Sequence, residues 1–235
     1  MIKRQLVLVL TIMILCLSTW TGLASEDVYT MRFKEILRTR ILEILDSWPA
    51  EDQYAIMFFI YPNEAYEHRG YTNIPEFQML YRCESDLQVD HNPYFNPLGD
   101  FEGRWYPAFW DYDLRTPVID LYEPKVNADA LIDWYEAIGL EQIGYEDPEK
   151  MYGDDGVVYV GRGPNGLPEL LEVVVQIAQE LQNDGTIERK FSRKVPIILA
   201  DHEYTWYMIE ATREANPNGE ADEFIEACVK EGYIR

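Results

Sequence analysis

YAIMFFIYP, residues 54–62, is the stretch whose reading decides the fold. No position in it offers a wet face, its length is that of a strand, and it is rich in aromatic and branched side chains. Such a run reads as a central strand covered on both faces. Before it, Phe33, Ile36, Leu37, Ile41, Ile44, Leu45 and Trp48 recur at helical spacing, which predicts an amphipathic helix from Asp27 to Trp48 that Pro49 stops. After it, FQMLYRCES sets Phe77, Met79, Tyr81 and Cys83 against Gln78, Arg82 and Glu84, the alternation of a strand with one wet face. Pro93, Pro97 and Gly99 then mark a long loop between Asp86 and Gly103.

The next segment, GRWYPAFWDYD (Gly103 to Asp113), is the richest in rings. A period of two sends Tyr106, Ala108, Trp110 and Tyr112 to one face and Trp105, Pro107 and Phe109 to the other. Pro107 has no N–H for a ladder, so the expectation is an edge strand or one broken by a bulge. One of Trp105 and Trp110 is expected inside and the other along a groove. Beyond it, Asn127 is placed to cap a helix through Ile138, VVYV reads as a short strand, and Leu167 to Leu181 as an amphipathic helix. VPIILAD reads as a buried strand, and two final helices, about Glu203 to Ala215 and Glu220 to Lys230, flank the turn NPNG. The order of elements implies a single α+β domain over residues 25–235, with a mixed or mainly antiparallel sheet packed with helices.

Residues 1–24 stand apart. Lys3 and Arg4 open a basic start, Leu6 to Leu17 is apolar, and Gly22 and Ala24 occupy the small-residue positions of a cut between Ala24 and Ser25. This reads as a signal peptide and an extracytoplasmic destination, whether secreted, periplasmic or in the cell envelope. An uncleaved anchor is the alternative, diluted by Ser18, Thr19, Thr21 and Gly22. In that case alone the chain meets a membrane, through its leader. Lipid modification at Cys16 is disfavoured by bulky Ile14 and Leu15 before it. Cleavage leaves Cys83 and Cys228, enough for one disulfide in an oxidising compartment.

Loss of Lys3 and Arg4 with the leader takes the formal charge from −22 to −24. A field of that sign repels nucleic-acid phosphates and anionic headgroups and favours a basic protein partner. Several local patterns hint at chemistry. Gly161-Arg162-Gly163-Pro164-Asn165-Gly166 matches G-x-G-x-x-G, yet Pro164 deletes an amide and no carboxylate follows at the distance a ribose needs, so a glycine-rich turn is the ordinary explanation. Asp201-His202-Glu203 contains metal-ligating types, but adjacent strand residues point opposite ways. His68 and His91, in loops near Glu67 and Asp90, read as ordinary surface residues. Asp111 and Asp113, beside tryptophans, suggest a carboxylate pair of the kind that cleaves glycans. No serine or cysteine has a motif-supplied histidine, and no metal or cofactor is implied.

The segment Arg104-Trp105-Tyr106-Pro107-Ala108-Phe109-Trp110-Asp111-Tyr112 resembles the Arg-Trp-x-Pro-x-x-Trp-x-Tyr pattern of a bacterial domain-of-unknown-function family, number 4303. The likeness extends, as an order of elements, over most of Asp27 to Tyr233. Phe109 departs from it, standing where the family often has a carboxylate. The resemblance implies a fold and no activity. Charge and the lack of a catalytic constellation point to an exported, non-catalytic binding domain, neutralisation of a competing cell's toxin being one such role. Arg104, Trp105, Trp110, Asp111 and Tyr112 are its candidate binding residues, with Arg104 suited to cation–π stacking or a salt bridge that locks the segment to the core. The alternative is a glycan-acting hydrolase using Asp111 or Asp113.

Overall fold

Four strands, β1 (Gln53–Asn63), β2 (Ile74–Cys83), β3 (Thr116–Ile119) and β4 (Ile197–Ala200), form one sheet in the order β3-β2-β1-β4. The computed structural model describes residues 28–89, 101–154 and 156–234; the leader with Ala24 and Ser25, and His91, lie outside the described residues. β1 runs antiparallel to β2, Asn63 opposite Ile74, and parallel to β4, Ile56 opposite Ile197. The sheet is therefore mixed, and the fold is a single α+β domain.

The apolar run places β1 inside the sheet, as expected. Its side chains alternate between two cores. Ile56, Phe58 and Ile60 enter the larger, built with α1 (residues 28–47), α4 (Ala128–Ala137) and α5 (Leu167–Asn183). Met57 and Phe59 enter the smaller, against α3 (Phe101–Trp105) and α8 (Asp222–Glu231). Each fully buried Phe or Ile contributes about 1.5–3 kcal/mol relative to exposure. α1 buries Phe33, Leu37, Ile41, Ile44 and Leu45, the stripe its spacing predicts.

α7 (Trp206–Ala215) closes the free edge of β4 with two side chains one turn apart. Thr212 Oγ1 accepts from Leu199 N–H at 2.9 Å. Asn216 Oδ1 accepts from Ile197 N–H at 2.9 Å while Nδ2 donates to Ile197 C=O at 2.7 Å. Buried edge amides must find partners, and here side chains replace a missing strand.

Several expectations are corrected. The ring-rich segment is no strand: α3 ends at Trp105, 3-10 turns follow at Pro107–Phe109 and Tyr112–Leu114, and the edge strand is β3, further along. Pro107 starts a turn, where a missing N–H costs nothing. The span Asp86 to Gly103 begins within α2 (Glu84–Val89) and ends within α3. VVYV forms only an isolated bridge, Tyr159 to Tyr152. α6 (Thr186–Phe191) was not anticipated. Asn127 precedes α4 without a capping bond; its Nδ2 instead donates to Val118 C=O at 2.8 Å, tying the helix to β3. Nor is the second face of β2 wet. Glu76 and Arg82 are buried and Gln78 is half-buried, because α3 and the residues around β1 cover that face.

Candidate functional site

The ring-rich segment is anchored through its backbone. The carbonyls of Gly103, Arg104 and Trp105, at the end of the short helix α3, accept from Arg82 Nη1 at 2.6 Å, Tyr54 OH at 2.6 Å and Tyr204 OH at 2.5 Å. Three elements thus satisfy three carbonyls that the helix end leaves open. Burial raises the Tyr54 and Tyr204 hydroxyls above the ordinary phenol range, so they remain donors. Arg104 pairs with Glu84 at 3.2 Å and Glu223 at 2.9 Å, and its guanidinium lies over the rings of Tyr54 (4.4 Å) and Trp105 (5.1 Å). Both contacts anticipated for Arg104 are present, with carboxylates from α2 and α8 in place of its neighbours.

Trp105 and Trp110 are both inside, 3% and 2% exposed, which corrects the expectation that one would line a groove. Shape explains it: the two turns after α3 curl the chain so that both rings pack edge-on to Tyr54. Asp111 and Asp113 are exposed, and Asp111 Oδ1 accepts from Asp113 N–H at 2.9 Å, a turn-stabilising bond. With the Trp110 ring turned inward, these carboxylates lack the bare ring face that holds a sugar. The side chain of Tyr112 lies outside the described part of the structure.

The other motifs resolve into structure. Gly166, at φ 107°, takes a backbone conformation that L side chains avoid; Tyr135 OH donates to its carbonyl at 2.6 Å. Its N–H is taken by Glu169 Oε2 at 2.8 Å, so a carboxylate already sits where a phosphate would bind the start of α5. His68, expected at the surface, is instead buried, because its Nε2 lies 2.9 Å from Asp129 Oδ1 and pins its loop to α4. Among the described residues no cluster of His, Cys, Asp and Glu is arranged to hold a metal ion, and Cys83 and Cys228 are free thiols. Burial pushes Cys228 up to about 12 and Cys83 up to about 11.

Besides two open hollows along α1, of about 580 and 510 Å³, two concave surfaces among the described residues carry linings that suit a ligand. The larger, about 480 Å³, lies between α5 and α7. Leu171, Val175 and Ala211 form its apolar floor, and Trp206, under the Arg162 guanidinium at 5.2 Å, closes one end. Its rims are acidic. Glu169 and Glu172 stand on α5, and Glu210 and Glu214 stand one turn apart on α7. Among the described residues Glu172 and Glu214 have no cationic partner. Beside the closed end, Val157, Val158 and Val160 stand in the chain just before Arg162, with Val157 79% exposed.

The smaller, about 410 Å³, opens at the carboxyl ends of the parallel neighbours β1 and β4 and is lined by Tyr61, Asn63, Glu64, Asp201 and His202. The His202 ring packs on Tyr61 at 4.8 Å and on Phe59 at 5.3 Å. Burial raises the Asp201 carboxyl above its ordinary value, and burial with the bond to Glu76 raises the Tyr61 hydroxyl. Sequence reasoning marked Asp201 and His202 but missed Tyr61 and Glu76. Glu76, a lone acid in an apolar strand, was the available signal.

Comparison with protein-family models, curated proteins and solved structures finds no match.

Proposed function

We propose that this is an exported, non-catalytic binding domain that takes a basic segment of a protein partner into the groove between α5 and α7. The observation that supports it is the groove itself: an apolar floor between two carboxylate rims, on a chain of strongly negative charge. An amphipathic basic segment has the complementary pattern, apolar side chains toward Leu171 and Val175 and cations toward Glu172 and Glu214. α5 spans roughly 25 Å and α7 roughly 15 Å at 1.5 Å per residue, room for about three helical turns of a ligand. Exposed rim pairs contribute about 0–1 kcal/mol each, so the floor supplies most of the affinity. The charges supply encounter rate and salt dependence. Covering a basic surface, as a toxin neutraliser does, is a form of binding that suits this charge.

The test is retention of a partner from native envelope extract on immobilised protein at low and high salt. A Glu172→Lys/Glu214→Lys variant loses the salt-sensitive partner. Glu226→Lys/Glu231→Lys on α8 makes the same change of net charge on another face and retains it. Equal behaviour of the two variants overturns the assignment.

A further inference from the structure

The geometry points to the crevice at the carboxyl ends of β1 and β4 as a binding site for an organic cation, an alkylammonium or alkylguanidinium group. Glu76 is the starting point. It is fully buried, and its partners are all neutral donors: Tyr61 OH and Gln78 Nε2 (3.4 Å) to Oε2, Asn63 Nδ2 (2.8 Å) to Oε1. Three donors and no acceptor is the pattern of an ionised carboxylate. Among the described residues no cation lies within ion-pair distance of it. Buried charges are ordinarily paired, and Tyr61, bonded to this one, lines the crevice.

The crevice above it is short of donors. The Tyr61 O–H and the Asn63 amide N–H are spent inward on Glu76, and Asn63 Oδ1 is held by Ala65 N–H at 3.0 Å. The Tyr61 hydroxyl oxygen also accepts from Gln78 Nε2 at 3.4 Å, and what lines the crevice is the carboxyl groups of Asp201 and Glu64 with the rings of Tyr61 and His202. Acceptors beside aromatic faces suit a ligand that brings only donors and a positive charge. Arg115 illustrates the chemistry next door, its guanidinium 4.3 Å from the centre of the Phe59 ring. The position fits as well, since ligands settle outside the carboxyl ends of parallel strands.

The experiment is an amide-resolved NMR titration of the whole protein with n-butylguanidinium and n-butylammonium chloride, at constant ionic strength. 1-Butanol serves as the neutral isostere, and a capped Gly-Arg-Gly peptide as the arm for a side chain delivered by a protein. The expected result is saturable shifts at Asn63, Ala65, Asp201 and His202 with at least one cationic probe, and none with butanol. A response to butylguanidinium or butylammonium assigns a free small molecule; a response to the peptide alone assigns a partner's side chain. Glu76→Gln and Asp201→Asn should each weaken binding at least tenfold. Asp201→Asn, at the rim, serves if Glu76→Gln misfolds. Glu172→Lys/Glu214→Lys should leave the titration unchanged, which separates this site from the groove. Absence of saturable shifts with every cation, an equal response to butanol, or undiminished affinity in a folded Glu76→Gln or Asp201→Asn variant overturns the proposal.

Discussion

Asn216→Ala tests the clamp on which both surfaces depend. Asn216 is buried, and truncation to Ala leaves Ile197 N–H and Ile197 C=O, both at a fully buried residue, without their partners. Thr212 C=O loses its 2.7 Å donor as well. An unsatisfied buried group costs about 1–3 kcal/mol, and water admitted to the space left by the side chain recovers part of that, so the expected loss is about 3 kcal/mol. With a urea slope of about 2–3 kcal/mol per molar, the unfolding midpoint falls by about 1 M. Circular dichroism across a urea series, compared with tryptophan fluorescence to check that the transition is two-state, measures it. Asn218→Ala, exposed two residues on, should change stability by under about 0.5 kcal/mol. Asn216→Asp separates hydrogen bonding from packing: it keeps an acceptor for Ile197 N–H but turns an anion toward Ile197 C=O, so it should cost at least as much as Ala. A midpoint shift below about 0.2 M for Asn216→Ala would refute the clamp.

Two further outcomes are expected. Gly166→Ala should lose about 1–3 kcal/mol, since the backbone sits at φ 107° and the new Cβ would lie 2.9 Å from the Tyr135 ring; thermal unfolding against wild type measures it, and a neutral effect would contradict the turn geometry. Asp201→Asn should gain stability over wild type as pH rises. Burial raises this carboxyl, so the folded state holds the proton more tightly than the unfolded chain. Wild type therefore loses stability from the ordinary carboxylate value, about 3.9, through the raised one, while the amide does not. Melting temperatures of the pair from acid to neutral pH check this, and a difference that shrinks with rising pH would reverse the assignment.

Local patterns carried far where the physics is local. The apolar run of β1, the stripe of α1 and the stripe of α5 each required burial whatever lay beyond them, and each is buried save Ile36, Tyr61 and Pro62, which are half-buried. Period-two reading failed at Trp105 to Tyr112 because a segment ringed on both faces has no wet side to set a register. Its turns are fixed from a distance, by Arg82, Tyr54 and Tyr204 holding three successive carbonyls.

The candidate sites show the same division. Acidity was written in the composition, but the groove exists only because α5 and α7 lie side by side and bring Glu172 and Glu214 to one surface. Glu76 stands in the sequence as a lone acid among apolar neighbours. Its burial follows from cover supplied by Tyr61, Asn63 and Gln78, two of them on the neighbouring strand. The sequence by itself determined which segments must be hidden from water and how negative the remainder is, because transfer from water and net charge are properties of residues. Only the tertiary structure decided which acids face one another, which lie buried without a cation, and which rings turn inward, because those depend on distances between residues remote along the chain.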